Sequence, residues 1–487
     1  MRLFLPTYDR ATMTDTATED IVREDALLIG GDWVPGTGEA LEIENPRTEQ
    51  ITGSAVQASR SDAEAAIAAA RAALPGWAGT QVSERVAFLR RLHALITERA
   101  DRFAEIIHRE QGSPLVLARK LHVDVPLAVI EKTADALEAF EFRREIGNSL
   151  IVREPVGVVA AITPWNLPLH QVVVKVVPAL AAGATVVLKP AALTPLTAFE
   201  FTRAVADAGL PAGAFNLVPG SGAEIGELLT RHPDVDHVSF TGSTPVGAQV
   251  AAAAASTIKG ITLELGGKSA SVVLADADDE LLTKAVKVTV ANCYLNGGQT
   301  CTALSRLIVP AERLHEVDQL AADSAAKYAP GERLGPLISA SHRRSVLEYI
   351  EGDASSAGRR IDGCAALPLP EQGYFVRPAV FSEVDPKSRL AQEEIFGPVL
   401  SIIPAHSDAD AVALANDTTY GLGGAVWAGS DEAALEAALQ IRTGQVDING
   451  APFNPRAPFG GYRRSGLGRE IGDFGIEDVL EIKAVQR

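Results

Sequence analysis

The sequence is poor in cysteine: 487 residues contain only Cys293, Cys301 and Cys364. An odd count of three thiols makes no disulfide framework and fits a reducing, cytoplasmic compartment. CxxC and HExxH spacings are lacking and the nine histidines are scattered, so no metal site is expected. Positive charge is also in deficit. Lys and Arg number 44 against 62 Asp and Glu, a net charge of -18, and so acidic a surface repels phosphate backbones. Nucleic acid is therefore not an expected partner. Uninterrupted hydrophobic runs are missing too. The longest apolar tract, 172–188, is broken by Lys175, Pro178 and Gly183, which argues against a membrane span and for a helix followed by a buried strand. The lead, 1–20, has a brief Leu3-Phe4-Leu5 run but no full apolar core or cleavage site. It predicts no secretory leader, and Met13 is an alternative start.

What is present is an ordinary globular composition, 47% apolar and 22% charged, on a chain long enough for two or three domains. Apolar residues at three- and four-residue spacing predict helices over 61–74 and 83–111. The texture then changes. Short β-prone runs at 156–162, 184–188, 215–218, 235–240 and 261–265 alternate with helical segments at 168–181, 198–208, 223–231 and 244–255. That alternation implies a doubly wound parallel sheet with helices on both faces. A second α/β region runs from 267 to about 470, with a strand-like run at 271–274 and a helix over 279–295. The tail, 476–485, is β-prone again and suits an added edge strand in an oligomer.

The chemistry is carried by motifs in a fixed order. Ile162-Thr163-Pro164-Trp165-Asn166-Leu167-Pro168 closes one strand and opens a helix, and Lys189-Pro190 ends the next strand. Phe240-Thr241-Gly242-Ser243-Thr244-Pro245-Val246-Gly247 ends another, followed by Leu263-Glu264-Leu265-Gly266-Gly267-Lys268. Then come Asn296-Gly297-Gly298-Gln299-Thr300-Cys301, Glu393-Glu394-Ile395-Phe396-Gly397-Pro398 and Pro458-Phe459-Gly460-Gly461. Cys301 follows a glycine-rich turn whose backbone N–H groups can lower a thiol pKa, whereas the ordinary fate of a free cysteine is burial, the reading kept for Cys293 and Cys364. Glu264 stands where an apolar strand meets a Gly-Gly turn. A carboxylate there needs a task or a partner such as Lys268. Asn166 suits a helix cap.

Together these motifs resemble the aldehyde dehydrogenase superfamily, and the resemblance covers the chain from about Gly30 to Val485. It implies an NAD(P)-dependent oxidoreductase of the non-acylating branch. Cys301 would be the nucleophile, Glu264 the base that activates water for thioester hydrolysis, and Asn166 with the Cys301 N–H the oxyanion hole. Cofactor contacts would come from Ile162, Thr163, Pro164 and Trp165, and from Lys189, Ala192 and Gly222. Phe240, Gly242, Ser243 and Leu265, with Glu394 and Phe396 at the nicotinamide ribose and ring, would complete them. No GxGxxG occurs, and the phosphate turn is Gly242-Ser243 at a helix start. The aldehyde would meet Leu167, His170, Gln171 and Val174, then Thr300 and Thr302, then Phe453, Arg456 and Phe459. Ala192 stands where the family often has Glu, and Pro245 where an acid is common. Both bear on cofactor choice, so NAD is expected, with NADP tolerated.

The fold implied is α/β: a doubly wound dinucleotide-binding domain over 21–141 and 155–266, and a second α/β catalytic domain over 267–470. A small β oligomerisation element would form from 142–154 and 471–487, after a mobile lead, 1–20. A homodimer or homotetramer without nucleic-acid or membrane partners is expected. Two alternatives stay open: a coenzyme A-acylating enzyme, which generally lacks the base, and a catalytically silent structural or binding relative, which would lose Cys301 or Glu264.

Overall fold

A computed structural model describes residues 22–361 and 363–487. The lead, 1–20, and Met13 lie outside the described residues. The chain divides into two compact units. The first comprises Arg23–Asn45, Gly53–Gly266 and Pro455–Arg487; the second is built on Gly267–Asn454 with Pro46–Thr52.

The first unit is organised by a six-stranded sheet. Its spatial order is Phe215–Leu217, Thr185–Lys189, Val158–Ile162, His237–Thr241, Gly260–Glu264 and Gly466–Leu467. All neighbours pair in parallel except the last, which is antiparallel. The first four strands in this order are buried at every position, which is why they read as continuous apolar runs rather than alternating ones. Strand order reverses between Val158–Ile162 and His237–Thr241, so the crevice beyond Ile162 and Thr241 is the switch point where α/β sheets take ligands. The 172–188 tract is a helix, Pro168–Ala182, closed by left-handed Gly183 (φ 95°) and followed by the strand Thr185–Lys189.

Three expectations are corrected. The helix over 83–111 is two, Val82–Glu98 and Ala100–Glu110, broken where Arg99 leaves helical geometry (φ -96°, ψ 12°). The segment 223–231 starts with a π-helical turn, Gly222–Gly226, before the short helix Glu227–Arg231. The tail is not one strand: Ile476 lies buried in the helix Gly472–Glu477, and only Leu480–Gln486 is extended. That strand pairs antiparallel with Ser149–Pro155, itself hairpinned to Arg143–Ile146 through left-handed Gly147. Ile146, Ile482 and Val485 leave an apolar surface there, Ile482 being 71% exposed.

The second unit has a seven-stranded sheet ordered Arg359–Arg360, Ala379–Ser382, Val399–Ala405, Arg306–Pro310, Ala270–Val273, Gly424–Trp427 and Asp447–Ile448. Only its first pair is antiparallel. The helix Asp279–Cys293, capped by the Asp278 carboxylate on the Leu281 N–H, delivers the chain to the loop of Cys301. Among the described residues, no helix is long and apolar enough to cross a membrane, and no His, Cys, Asp and Glu cluster could hold a metal.

Candidate active site

At the switch point of the first unit, Thr163 donates its N–H to Lys189 O (3.1 Å), fixing the turn of Pro164 and Trp165 beyond buried Ile162. Leu167, not Asn166, holds the N-cap position of the Pro168–Ala182 helix, so capping does not account for buried Asn166. Lys189 is buried, and its Nζ donates to Pro190 O (3.0 Å) after running past Gly226. Burial lowers its pKa to about 8. Ala192, just after the Lys189–Pro190 turn, is half-buried, and Gly222, at the start of the Gly222–Gly226 turn, is exposed.

Gly242 is required at the second strand end, where a Cβ would lie 2.4 Å from the Phe240 ring; its N–H donates to Glu264 O (3.1 Å). Ser243 occupies the N-cap of Thr244–Ala254 but makes no capping bond with its side chain, leaving the helix start with free donors of the kind that receive phosphate. Gly247 lets that helix approach Leu265, whose Cδ2 would be 2.3 Å from an added Cβ. These features fit a dinucleotide: a close-approach glycine, an uncapped helix start and a buried ammonium.

Glu264 ends its strand on the same face as Thr262, opposite Thr241, and both its carboxylate oxygens are buried without a hydrogen-bond partner among the described residues. It is not the ion-paired carboxylate of the structural alternative. Burial, then the charge of Glu470, raises its pKa well above the ordinary range; Lys175 and Arg469 pull the other way. Lys175, from the middle of the Pro168–Ala182 helix, donates to Glu470 (2.5 Å) and to Ser239 Oγ (3.3 Å), all buried. Lys175 and Glu470 are absent from the motif-based site. The signal was available: a lone lysine inside an apolar tract, read only as an obstacle to membrane insertion.

In the second unit Asn296, Gly297 and Gly298 take left-handed φ of 55°, 70° and 76° in succession. They turn the chain so that buried Thr300 and half-buried Cys301 and Thr302 follow in a tight loop, closed by Ala303 N–H on Thr300 O (3.2 Å). Gly267 packs so closely that a Cβ would sit 2.3 Å from Cys301 O. Glu394 accepts the Gly267 N–H (3.1 Å), and burial raises its pKa to about 7. Lys268 Nζ is buried without a hydrogen-bond partner among the described residues, its pKa lowered to about 7 by burial and then by Arg306. A small cavity is lined by Gly267, Gly298, Thr300, Glu394, Phe396 and Gly397. Cys293, by contrast, is buried, donates to Val399 O (3.4 Å) and has its thiol pushed up to about 12. Cys364 is buried in the same core.

Of the remaining expected contacts, His170, Gln171 and Val174 follow Leu167 on the Pro168–Ala182 helix. His170 Nδ1 and Gln171 Oε1 are buried without a hydrogen-bond partner among the described residues. Burial and Lys175 hold the His170 pKa down to about 4, so the ring is neutral. Half-buried Phe459 exchanges backbone hydrogen bonds with Glu470 (2.8 and 2.7 Å), tying its loop to the Lys175 cluster. Arg456 is exposed in the first unit, and Phe453 is half-buried in the second.

The sequence profile described as the aldehyde dehydrogenase family matches residues 33–485. A 3-succinoylsemialdehyde-pyridine dehydrogenase from a Pseudomonas species is 43% identical over 470 residues, 94% of this chain and 98% of that protein. A geranial dehydrogenase from Castellaniella defragrans is 40% identical over 473 residues, covering 94% and 98%. Among solved structures, a variant of aldehyde dehydrogenase C from Pseudomonas syringae, complexed with NAD+ and octanal, is 43% identical, with 95% and 96% of the chains covered and a TM-score of 0.92. An aldehyde dehydrogenase from Mycobacterium tuberculosis complexed with NAD+ is 39% identical, covering 96% and 99%, also at 0.92.

Proposed function

The chain belongs to the aldehyde dehydrogenase family, and on that premise we propose that it oxidises an aldehyde to the free acid with NAD+. The Cys301 thiolate adds to the aldehyde carbon, and the Asn166 amide with the Cys301 N–H receives the oxyanion. Bound NAD+ supplies the acceptor for the hydride that leaves this carbon as the C–O double bond re-forms, giving a thioester. Glu264 takes a proton from water, the resulting hydroxide adds to the thioester, and the thiolate departs. Lys189, Gly242 and Ser243 would hold the adenosine side of the cofactor, with Glu394 and Phe396 on the nicotinamide side. The unit of Gly53–Gly266 serves the cofactor, the unit of Gly267–Asn454 the thiol, and the exposed strand Leu480–Gln486 an assembly of identical chains.

The observation that carries this reading is Glu264: a buried carboxylate with no hydrogen-bond partner among the described residues, its pKa raised by burial and by Glu470, is suited to act as a base rather than as an ion pair. A coenzyme A-acylating name is carried by neither curated relative above, and that alternative is set aside.

For the substrate, the unsatisfied His170 Nδ1 and Gln171 Oε1 support an aldehyde larger or more polar than acetaldehyde, as do relatives named for geranial and a pyridine semialdehyde. Following NADH formation across acetaldehyde, octanal and aromatic or keto aldehydes tests both parts. The longer aldehydes are expected to lead in kcat/KM, graded by roughly 1–3 kcal/mol per methylene buried. Acetaldehyde matching the best of them refutes the substrate class. Absence of NADH with every aldehyde refutes the activity and favours a silent relative. Ala192 leaves NADP+ usable in the same assay, because it lacks the carboxylate that repels a 2′-phosphate.

A further inference from the structure

One face of the helix Ala340–Glu351 carries the turn that contains Glu394 and Phe396. His342, Val346 and Tyr349 recur at four- and three-residue spacing on that face, and each grips a different residue of the turn. His342 Nε2 bonds Phe396 O (2.8 Å), and since a carbonyl only accepts, Nε2 carries the proton. Val346 lies against Gly397, where a Cβ would approach its methyl carbons to 2.7 Å. Tyr349 donates to Glu393 Oε2 (2.5 Å), which Arg389 also holds (3.0 Å).

The middle contact fixes an unfavourable backbone. Phe396 has φ 57°, a left-handed conformation that a bulky side chain rarely adopts and that persists only where the surroundings hold it. The imidazole does so twice, through the hydrogen bond and through an edge-to-face contact of its ring with the Phe396 ring at 6.1 Å.

The same helix is fastened to the loop of Cys301. Gln299, two residues before the thiol, accepts the Ile338 N–H (2.9 Å) and donates to Pro336 O (3.2 Å) and Asn296 O (2.9 Å). Ile338 adjoins Ser339, which caps the helix by accepting the His342 N–H. The circuit closes on its other side. Gly298 packs backbone to backbone on Gly397, with a Cβ there only 2.2 Å from Gly397 C and O. From Gln299 the contacts run through Ile338, Ser339, His342, Phe396 and Gly397 back to Gly298, all within one unit.

We propose that His342 is a positioning residue for hydride transfer: it holds the Phe396 peptide left-handed and so keeps the Glu394–Phe396 turn in register with the Cys301 loop. This rests on the reading that Glu394 and Phe396 hold the nicotinamide side of NAD+. Hydride transfer depends steeply on the placement of donor and acceptor carbons, and a shift near 1 Å costs as much as about a hundredfold. Acyl transfer from an ester to Cys301, and its hydrolysis, needs no nicotinamide and gives an internal control.

The test compares wild type with His342→Leu, which loses the donor, His342→Gln, which keeps one, and Phe396→Ala. Single-turnover NADH formation, the deuterium isotope effect from a 1-deuterated aldehyde, and p-nitrophenyl acetate hydrolysis are measured on each. For His342→Leu we expect hydride transfer slowed at least about tenfold with the isotope effect emerging in kcat, and ester hydrolysis held within about twofold. His342→Gln should recover most of the hydride rate. If His342→Leu does not yield folded protein, His342→Asn, whose donor is too short to reach, carries the same expectation. A wild-type hydride rate in His342→Leu beside a slowed Phe396→Ala overturns the proposal and leaves the cofactor reading intact. Ester hydrolysis falling in step with hydride transfer overturns it in favour of a general structural role. A wild-type hydride rate in Phe396→Ala removes the cofactor reading itself, and this proposal with it.

Discussion

Two buried glutamates in the first unit, Glu110 and Glu264, have both been taken out of water, and burial raises the pKa of each. Their surroundings are opposite. Glu110 is fully satisfied: it accepts the Leu196 N–H (2.8 Å), the Thr197 N–H (2.9 Å) and the Thr197 hydroxyl. Those are the first N–H groups of the helix Leu196–Asp207, whose N-cap position is Pro195, a residue with no side-chain oxygen to offer. Glu110 does the capping from another part of the chain, and the helix dipole favours its charge. Glu264 accepts no hydrogen bond among the described residues and faces the repulsion of Glu470. A buried carboxylate that is fully bonded is accounted for by structure, whereas one left unbonded calls for another account, which for Glu264 we propose is its role as the base. The cysteines differ in burial: Cys293 is buried and spends its S–H on Val399 O, while Cys301 is half-buried at a turn.

The contrast is tested most severely at the thiols. Cys301→Ala should remove dehydrogenase turnover altogether, a loss of about 10⁴-fold or more, with NAD+ binding retained, because no other group can form the thioester. Cys293→Ala should keep turnover within a few-fold. Steady-state NADH formation and nucleotide binding on both variants decide this, and near-normal turnover in Cys301→Ala ends the mechanism.

The next effect in size belongs to Glu264→Gln. Losing a general base costs about 10²–10⁴-fold in the step it serves, here hydrolysis, while thiolate addition and hydride transfer continue. Rapid mixing should therefore show a burst of about one NADH per site before a stalled steady state. Thermal stability should not fall, since no hydrogen bond among the described residues is lost. An unchanged steady rate would return Glu264 to the same class as Glu110.

What separates the two glutamates also explains which parts of this protein could be read in advance. Parallel strands and the turns at their ends are local features, written in short runs of consecutive residues, and the switch-point loops at 162–168 and 240–247 stand where the alternation of strand and helix put them. The Glu110 cap joins residues 86 apart and the Lys175–Glu470 pair residues 295 apart, so no window of sequence contains either. The break at Arg99 was hidden for another reason: apolar spacing continues across it, and only the backbone departs. Asn166 shows the converse: a residue type well suited to a cap stands one position before the N-cap, Leu167.

Stability measurements complete the comparison from the structural side. Glu110→Leu should leave two helix-start N–H groups buried and unpaired, at about 1–3 kcal/mol each, so roughly 4 kcal/mol of stability is lost while turnover at moderate temperature is retained. Denaturant midpoints beside kcat on the same samples check both halves. Stability unchanged, or turnover lost from protein that is still folded, would break the distinction.

The smallest expected effect is the pH dependence of that site. Burial lifts the Glu110 pKa to about 7 from an ordinary value of 4.5, against the pull of its three hydrogen bonds. Between those two values the folded chain binds the proton that the unfolded chain has released. Stability from this group is therefore fully present below pH 4.5, declines as pH rises, and is lost once pH passes about 7. The amount is of order 1–3 kcal/mol, because denatured chains retain some structure and trim the full shift. Glu110→Gln cannot titrate, so the stability difference between wild type and this variant should shrink, to wild type's disadvantage, from pH 5 to pH 8. Glu264→Gln should show the same sign, since its pKa is raised too, but with no hydrogen bond to lose it should be the more stable protein at pH 8 than wild type. Unfolding curves for the three proteins at pH 5 and pH 8 settle the point, and a wild-type advantage over Glu264→Gln that grows with pH would mean that the carboxylate is partnered after all.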